Sequence, residues 1–574
     1  MKLKHILATT VAGAMVVAAT SCSDSYLDEK LYSSYGANVQ DVNAKILGLH
    51  KLVGDQLGYS SNQGYWGIWQ DGTDVGAPGD VQGVETPFYK YAELNSENAG
   101  VKYLWQKLWK IIASANIIIN DEANGTDAER AEARFFRAWA YDQLVTLWGD
   151  VPLLTEPVTT PRTDFVRSPK AEVDKVIDED LEFAVKNLPD VNSLVKEGRI
   201  SKDAARMLAA QAYLRMGYQH GDNAYYAKAE TVVSPVIDEK NYKLVEERYG
   251  KFLKDAGDYY SDMFRRGNQR RSQGNTEAVW YFQMEYNSDV PNGTIDNPQQ
   301  RRNWVPGFHK LAGMQNADSI GGRGNGRLRL SNYVKYKIWT PGDIRNSNHN
   351  IRRVMWYNRA GWGGATYYLD KDGYRVPNDN PDDPNVVTTV KVGVGDRVYC
   401  HAADTLAVFY PHTTKWGGYD PSDDFGYALV KDFPMMRYAE AYLLRAEARV
   451  RQGKTGEAAA DINVLRDRAF KQARLTDPEA GKVTTADMTL DFILDERIRE
   501  LVGEENRRLT LMRTGELTNR VNLMVNHFQE TTETKAISGY DPKIHTLLPI
   551  PLSEIQLNNC LLYTSDAADE RSSV

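Results

Sequence analysis

Aromatic side chains flanked by amides and acids recur where glycine is dense. They are Tyr65, Trp66, Trp69 and Asp71 in "NQGYWGIWQDGTD" (62–74), Trp304 in "RRNWVPGFHK" (301–310), Trp362, Tyr367 and Tyr368 in "GWGGATYYLD" (361–370), and Trp416 and Tyr419 in "KWGGYD" (415–420). A sugar ring presents flat C–H faces and a rim of hydroxyls, and an aromatic face beside Asn, Asp, Gln or Arg matches both. The expectation is a ligand-binding surface that includes Tyr65, Trp66, Trp69, Asp71, Trp304, Trp362, Tyr367 and Trp416. Each ring taken alone has a plainer reading, a loop anchor packed on a scaffold, because an aromatic buries a large apolar area.

Catalytic patterns are sparse. H-E-x-x-H, G-x-S-x-G, a phosphate loop and a C-x-x-C pair are all missing, and the nine His carry no metal-ligand spacing. Asp71 and Asp74 beside Trp66 and Trp69 could be cast as glycosidase carboxylates, but acids in loops more often meet water or hydrogen-bond donors. "DKDGYRVPNDNPDDPN" (370–385) opens like a calcium loop, yet Pro381 stands where the loop's bidentate Glu belongs. "GGRGNGR" (321–327) lacks the strand and helix of a nucleotide loop. No catalytic residue, metal ligand or cofactor is assigned.

These loops need a scaffold, and the flanking sequence supplies one. Helical spacing of apolar residues marks 101–120, 128–149 and 201–217, the second ended by Gly149 and Pro152, the third opened by Ser201 and closed at Gly217. Helices return at 433, where Pro434 suits a first helical turn. Gly453 and Gly456 mark a turn, and Tyr442, Ala446, Ala458 and Ile462 follow the spacing of a tetratricopeptide (TPR) pair. Residues 201–238 form a looser second copy. A last helix near 488–503 carries Leu490, Ile493, Leu494, Ile498, Leu501 and Val502 on one face. Glu447 with Arg451, and Asp495 with Arg499, have the order of favourable i,i+4 pairs, and Arg437, Glu440 and Arg513 are expected to knit helices together. Between 255 and 425 the periodicity breaks down, with short strands expected at 278–285 and 386–399. A stretch this long without regular structure points to function.

The N-terminus reads as an export signal. Lys2 and Lys4 precede an apolar run from Ile6 to Ala19, shorter than the roughly 20 residues of a membrane span. Small residues lead to Cys22, whose thiol suits a thioether-linked lipid. Lipid chains contribute about 0.8 kcal/mol per buried CH₂, so two or more hold a protein on a membrane. With 69 basic and 77 acidic residues, a net charge of −8, the chain has no basic stripe for nucleic acid. Its 33 Tyr against 15 Phe suggest aromatic surfaces that also touch water.

Ordered along the chain, "SCSDSYLDE", "RAWAYDQLVTLWGDVPLLTEP" (137–157), "DIRNSNHNIRR" (343–353), "PMMRYAEAYLLRAEA", "LDERIRELVGEENRRLTLMRTGEL" (494–517) and "LLPIPLSEIQLNN" (547–559) resemble the SusD/RagB-like outer-membrane lipoproteins of the Bacteroidetes. Glu505 and Thr510 depart from that pattern, which has Gly and Asp there. After Asn559, "CLLYTSDAADERSSV" replaces the family's ending, so Cys560 carries no functional weight.

The resemblance implies a mainly α fold, a TPR-like helical-pair scaffold with a large loop-rich, irregular ligand-binding region. The expected division is a lipoprotein signal peptide (1–21), a lipidated tether (22–40), one body (41–559) and an atypical tail (560–574). Within the body, helices (41–254) precede the binding region (255–425) and TPR-like helices (426–559). The implied function is capture of oligosaccharides or polysaccharides at the cell surface, on the outer membrane, and delivery to a SusC-like TonB-dependent transporter. Peptide capture of the RagB kind and surface glycoside hydrolysis are the alternatives.

Overall fold

The computed structural model describes residues 41–57, 65–121, 123–285, 298–315, 323–418, 429–529 and 535–558. The leader, Cys22, the tether, Tyr419, Cys560 and the tail lie outside the described residues. Among the described residues no helix is long and apolar enough to cross a membrane.

Local chemistry sets the long helices. They are α1 (Val42–Gln56), α2 (Ala99–Ile119), α3 (Asp127–Trp148), α4 (Lys170–Asn187), α5 (Lys202–His220) and α6 (Ala224–Asp238), then α7 (Tyr438–Arg451), α8 (Thr455–Ala469), α9 (Leu490–Leu501), α10 (Arg507–Thr514) and α11 (Leu517–His527). Asn98 caps α2, and Thr126 with Glu129 forms a reciprocal capping box on α3. Ser201 caps α5 as its sequence suggests. That helix runs through Gly217 and stops at Gly221, which takes the left-handed φ of 65°. Gly217 instead makes room for a neighbour, since a Cβ there would sit 2.5 Å from the ring of Tyr226.

Each helix packs on the next, from α1 to α6 and from α7 to α8, and α6 packs directly on α7. The loop-rich region is therefore an insertion between two adjacent scaffold helices. Tyr442, Ala446, Ala458 and Ile462 are all buried between α7, α8 and their neighbours, and Ala205, Ala209 and Ala212 of α5 are buried likewise.

The insertion leaves and returns through a two-stranded stem. Strand β2 (Ala278–Phe282) pairs antiparallel with β8 (Phe433–Arg437), Tyr281 opposite Pro434. Pro434 thus lies in a strand, and the helix expected from it begins only at Tyr438. A pair of strands leaves an open edge that tolerates proline. Further two-stranded sheets join β1 (Gly76–Pro78) to β3 (Leu328–Leu330), β4 (Ile351–Arg352) to β7 (His412–Thr413), and β5 (Ala365–Leu369) to β6 (Thr388–Val392). The strands expected at 278–285 and 386–399 correspond to β2 and β6.

A buried charge network joins the apolar packing that closes the joint between insertion and scaffold. Arg437 donates to Glu504 (2.6 Å), Glu277 (2.9 Å) and Glu500 (3.1 Å), and Arg468 donates to Glu277 (2.7 Å) and Glu500 (2.6 Å). Arg345, from the insertion, pairs with Asp343, Glu496 and Glu500. Glu440–Arg497 and Glu447–Arg513 also pair, at 2.8 and 2.7 Å. The i,i+4 pairs expected from sequence give way to these. Glu447 takes Arg513, Asp495 takes Arg520 (2.6 Å), and Arg499 takes Glu496 (2.6 Å).

Candidate functional site

The first aromatic loop is folded around a cation. Arg508 of α10 donates to the carbonyls of Ile68 (2.8 Å), Asp71 (2.5 Å) and Phe88 (2.8 Å) and to the hydroxyl of Tyr91 (3.0 Å). That draws residues 66–91 into tight turns against the scaffold, with Trp66 and Trp69 enclosed at 1% and 0% exposure. Trp66 and Trp416 both lie against Phe433 of the stem, with ring centroids 5.2 and 5.1 Å away. Trp416 also donates its indole N–H to the carbonyl of Gly503 at 2.7 Å. The short helix Gln300–Trp304 packs on the Trp416 turn, and Trp304 and Trp416 are each 1% exposed.

Trp66, Trp69, Trp304 and Trp416 are therefore core residues of the loops, and the expectation that they offer open faces is corrected. Long loops need an interior of their own, and large rings fill it. Tyr65 stays half-buried, stacked on Tyr103 with centroids 3.7 Å apart.

Asp71 is corrected likewise. It is fully enclosed, and neither carboxylate oxygen has a hydrogen-bond partner. Burial, then the nearby Glu85 carboxylate, push its carboxyl well above the usual range against the pull of Arg508. Asp74, also fully enclosed, accepts both of its bonds from Arg507, at 2.8 and 2.7 Å. The pair that could have been cast as glycosidase carboxylates is closed off from solvent.

The β5–β6 hairpin carries a second, smaller core built from Val305, Phe308, Met314, Met355, Tyr357, Tyr367, Leu369, Val392 and Val398. Alternation along β5 turns Tyr367 inward, 5% exposed, under the guanidinium of Arg375 at 3.8 Å, and Tyr368 outward. Tyr367 is thus a structural ring. Trp362 rests on Tyr357, centroids 4.5 Å apart, and stays half-buried.

Sequence reasoning missed Trp356, 46% exposed and bridged across the strand to exposed Arg397, and Tyr374, 36% exposed. The signal was available. In "VMWYN", Met355 and Tyr357 are buried while Trp356 between them is exposed, the alternation of a half-buried strand. The lobe spanning 351–401 thus holds Trp356, Trp362, Tyr368 and Tyr374 at its surface, interleaved with Thr366, Thr389, Lys391 and Arg397. Among the described residues, no group of three or more His, Cys, Asp or Glu could hold a metal ion.

The motifs of the sequence reading map onto buried architecture. In "DIRNSNHNIRR", Arg345 joins the charged joint, Asn348 accepts from the backbone of Arg353 (2.8 Å) and Val354 (2.9 Å), and Asn350 donates to Asp258 (3.0 Å). Glu505 and Thr510, the two departures from the expected pattern, touch each other at 2.9 Å, and Glu505 also accepts from Arg497 at 2.5 Å.

A sequence model described as "SusD family" matches residues 223–563. The chain belongs to the SusD family. A second model, described as "Starch-binding associating with outer membrane", matches residues 25–214 of this SusD-family protein. It is 25% identical to SusD-like protein P25 of Formosa agariphila over 550 residues, 92% of each chain. It is 26% identical to the starch-binding protein SusD of Bacteroides thetaiotaomicron over 493 residues, 80% of this chain and 77% of that one. A SusD homolog of known structure from Bacteroides thetaiotaomicron superposes with a TM-score of 0.66 at 19% identity, covering 93% of this chain and 97% of that one. The mainly helical, TPR-like reading of the fold stands.

Proposed function

We propose that this SusD-family protein is a glycan-binding lipoprotein of the outer-membrane surface. Cys22 carries its lipid anchor. The protein captures oligosaccharides or polysaccharides and passes them to a SusC-like TonB-dependent transporter. The observation that carries the reading is the aromatic surface of the 351–401 lobe, where Trp356 and Trp362 keep ring area open beside hydroxyl, ammonium and guanidinium groups. Flat apolar area ringed by hydrogen-bonding groups is what a sugar requires. The starch-binding relative and the starch-binding description of the matched model support the same ligand class.

Of the residues expected at the site, Tyr65 and Trp362 remain candidates, joined by Trp356, Tyr368 and Tyr374. Native electrophoresis through polysaccharide gels, followed by calorimetry against oligosaccharides and peptides, tests the proposal. Retardation by at least one glycan is expected. Binding confined to peptides would replace it with peptide capture.

A further inference from the structure

The scaffold holds a cavity of about 100 Å³, lined by both charged and apolar side chains, none of them from the lobe just described. Helices α3, α5, α7, α9 and α10 converge on it together with the β2–β8 stem and Trp66 of the aromatic loop. Three of its lining side chains carry buried N–H groups with no protein partner: Trp66 Nε1, Trp280 Nε1 and Arg497 Nη1. These residues are 1%, 2% and 1% exposed, and they come from three separate segments of the chain. Buried donors in native proteins are nearly always satisfied, by protein or by ordered water.

The lining restricts what can meet them. Carboxylates of Asp142, Glu440, Glu504 and Glu505 face the same space, so a bound anion would meet four acids against Arg437, Arg497 and Arg513. Each acid is already engaged: Glu440 by Arg497 (2.8 Å) and Gln211 (3.1 Å), Asp142 by Arg215 (2.6 Å), Glu504 by Arg437 and Glu505 by Arg497. A bound cation would therefore compete with existing partners and repel three guanidiniums. An apolar guest would leave the three donors unmet.

We propose that this cavity is an internal hydration site, holding a small cluster of ordered waters. The waters accept from Trp66, Trp280 and Arg497 and donate toward the surrounding carboxylates. They complete the hydrogen bonding of a hub that joins the aromatic loop, the stem and α9. Hydration accounts for the two indole N–H groups, of Trp66 and Trp280, that have no protein partner in a lining of mixed apolar and charged side chains.

A crystal structure of the full chain, at a resolution that shows ordered solvent, tests this. Water is expected at hydrogen-bond distance from at least two of the three donors. Water at fewer than two, a protein partner for the donors, or an ion or additive in their place overturns the proposal. In crystals of Trp280→Phe, the water beside position 280 is expected to vanish while those at Trp66 and Arg497 persist. An unchanged peak at position 280 also overturns it. Should that variant fail to fold, the wild-type map alone decides.

Discussion

Arg437 of the stem donates to Glu500 of α9 at 3.1 Å, with both side chains fully enclosed, and Glu500 also receives Arg468 and Arg345. One carboxylate thus ties the root of the insertion, α8 and a distant loop of the insertion to one point of the scaffold. Removing one partner from a buried ion pair leaves the other charge uncompensated, at a cost of about 3–5 kcal/mol. Arg437→Met is expected to lower unfolding free energy by that order in urea titration. A change below about 1 kcal/mol would mean that the joint contributes little.

The same joint sets the acid limit. Burial would raise the Glu500 carboxyl, but Arg468, Arg437 and Arg345 outweigh it and hold the group well below the usual range. Glu496 is held down in the same way by Arg345, Arg499 and Arg466. A depressed carboxylate contributes stability above its unfolded pKa, about 4.3, and loses it as pH falls toward the folded value. Melting temperature is expected to fall progressively below about pH 4.

Asp71 has the opposite sign. Its carboxyl is raised by burial and by Glu85, so the folded state penalises ionisation as pH climbs above the unfolded value of about 3.9. Asp71→Asn is expected to melt higher than wild type at pH 7, with the gap closing near pH 4. A variant that melts lower at pH 7 would show that the carboxylate has a native partner.

The aromatic rings divide by burial. Trp304→Ala and Trp416→Ala are expected to cost about 3–5 kcal/mol of stability, as core truncations of large rings do. Trp356→Ala is expected to leave the melting temperature nearly unchanged and to cost about 2 kcal/mol of glycan affinity, some thirtyfold, as loss of a binding hot spot does. Calorimetry and thermal melts on the same preparations separate the two classes. Unchanged affinity in both Trp356→Ala and Trp362→Ala would move the binding surface elsewhere.

Cys22→Ala is expected to shift the protein from the membrane fraction to the soluble fraction with its melting temperature intact. The measurement is fractionation of cells lacking the transporter. Pelleting that persists there would remove the lipid anchor from the proposal.

Helix positions were legible because their signals are local. Ser201 and the Tyr442–Ala446–Ala458–Ile462 spacing each act within a few turns, and the structure places them as expected. Pro434 misled because proline fits a first helical turn and an edge strand equally well. Only pairing with Tyr281, some 150 residues away in sequence, selects the strand.

Periodicity and capping chemistry were enough to set the helical pairs, and the ordered motifs were enough to mark the family. The sequence also identified which loops hold aromatic rings. Which rings face water was settled by long-range packing. Trp66 and Trp416 are covered by Phe433, whereas Trp356 lies opposite Arg397 on an open strand. The reason is physical: side-chain type and spacing fix what a residue can do, but exposure depends on what distant segments lay over it.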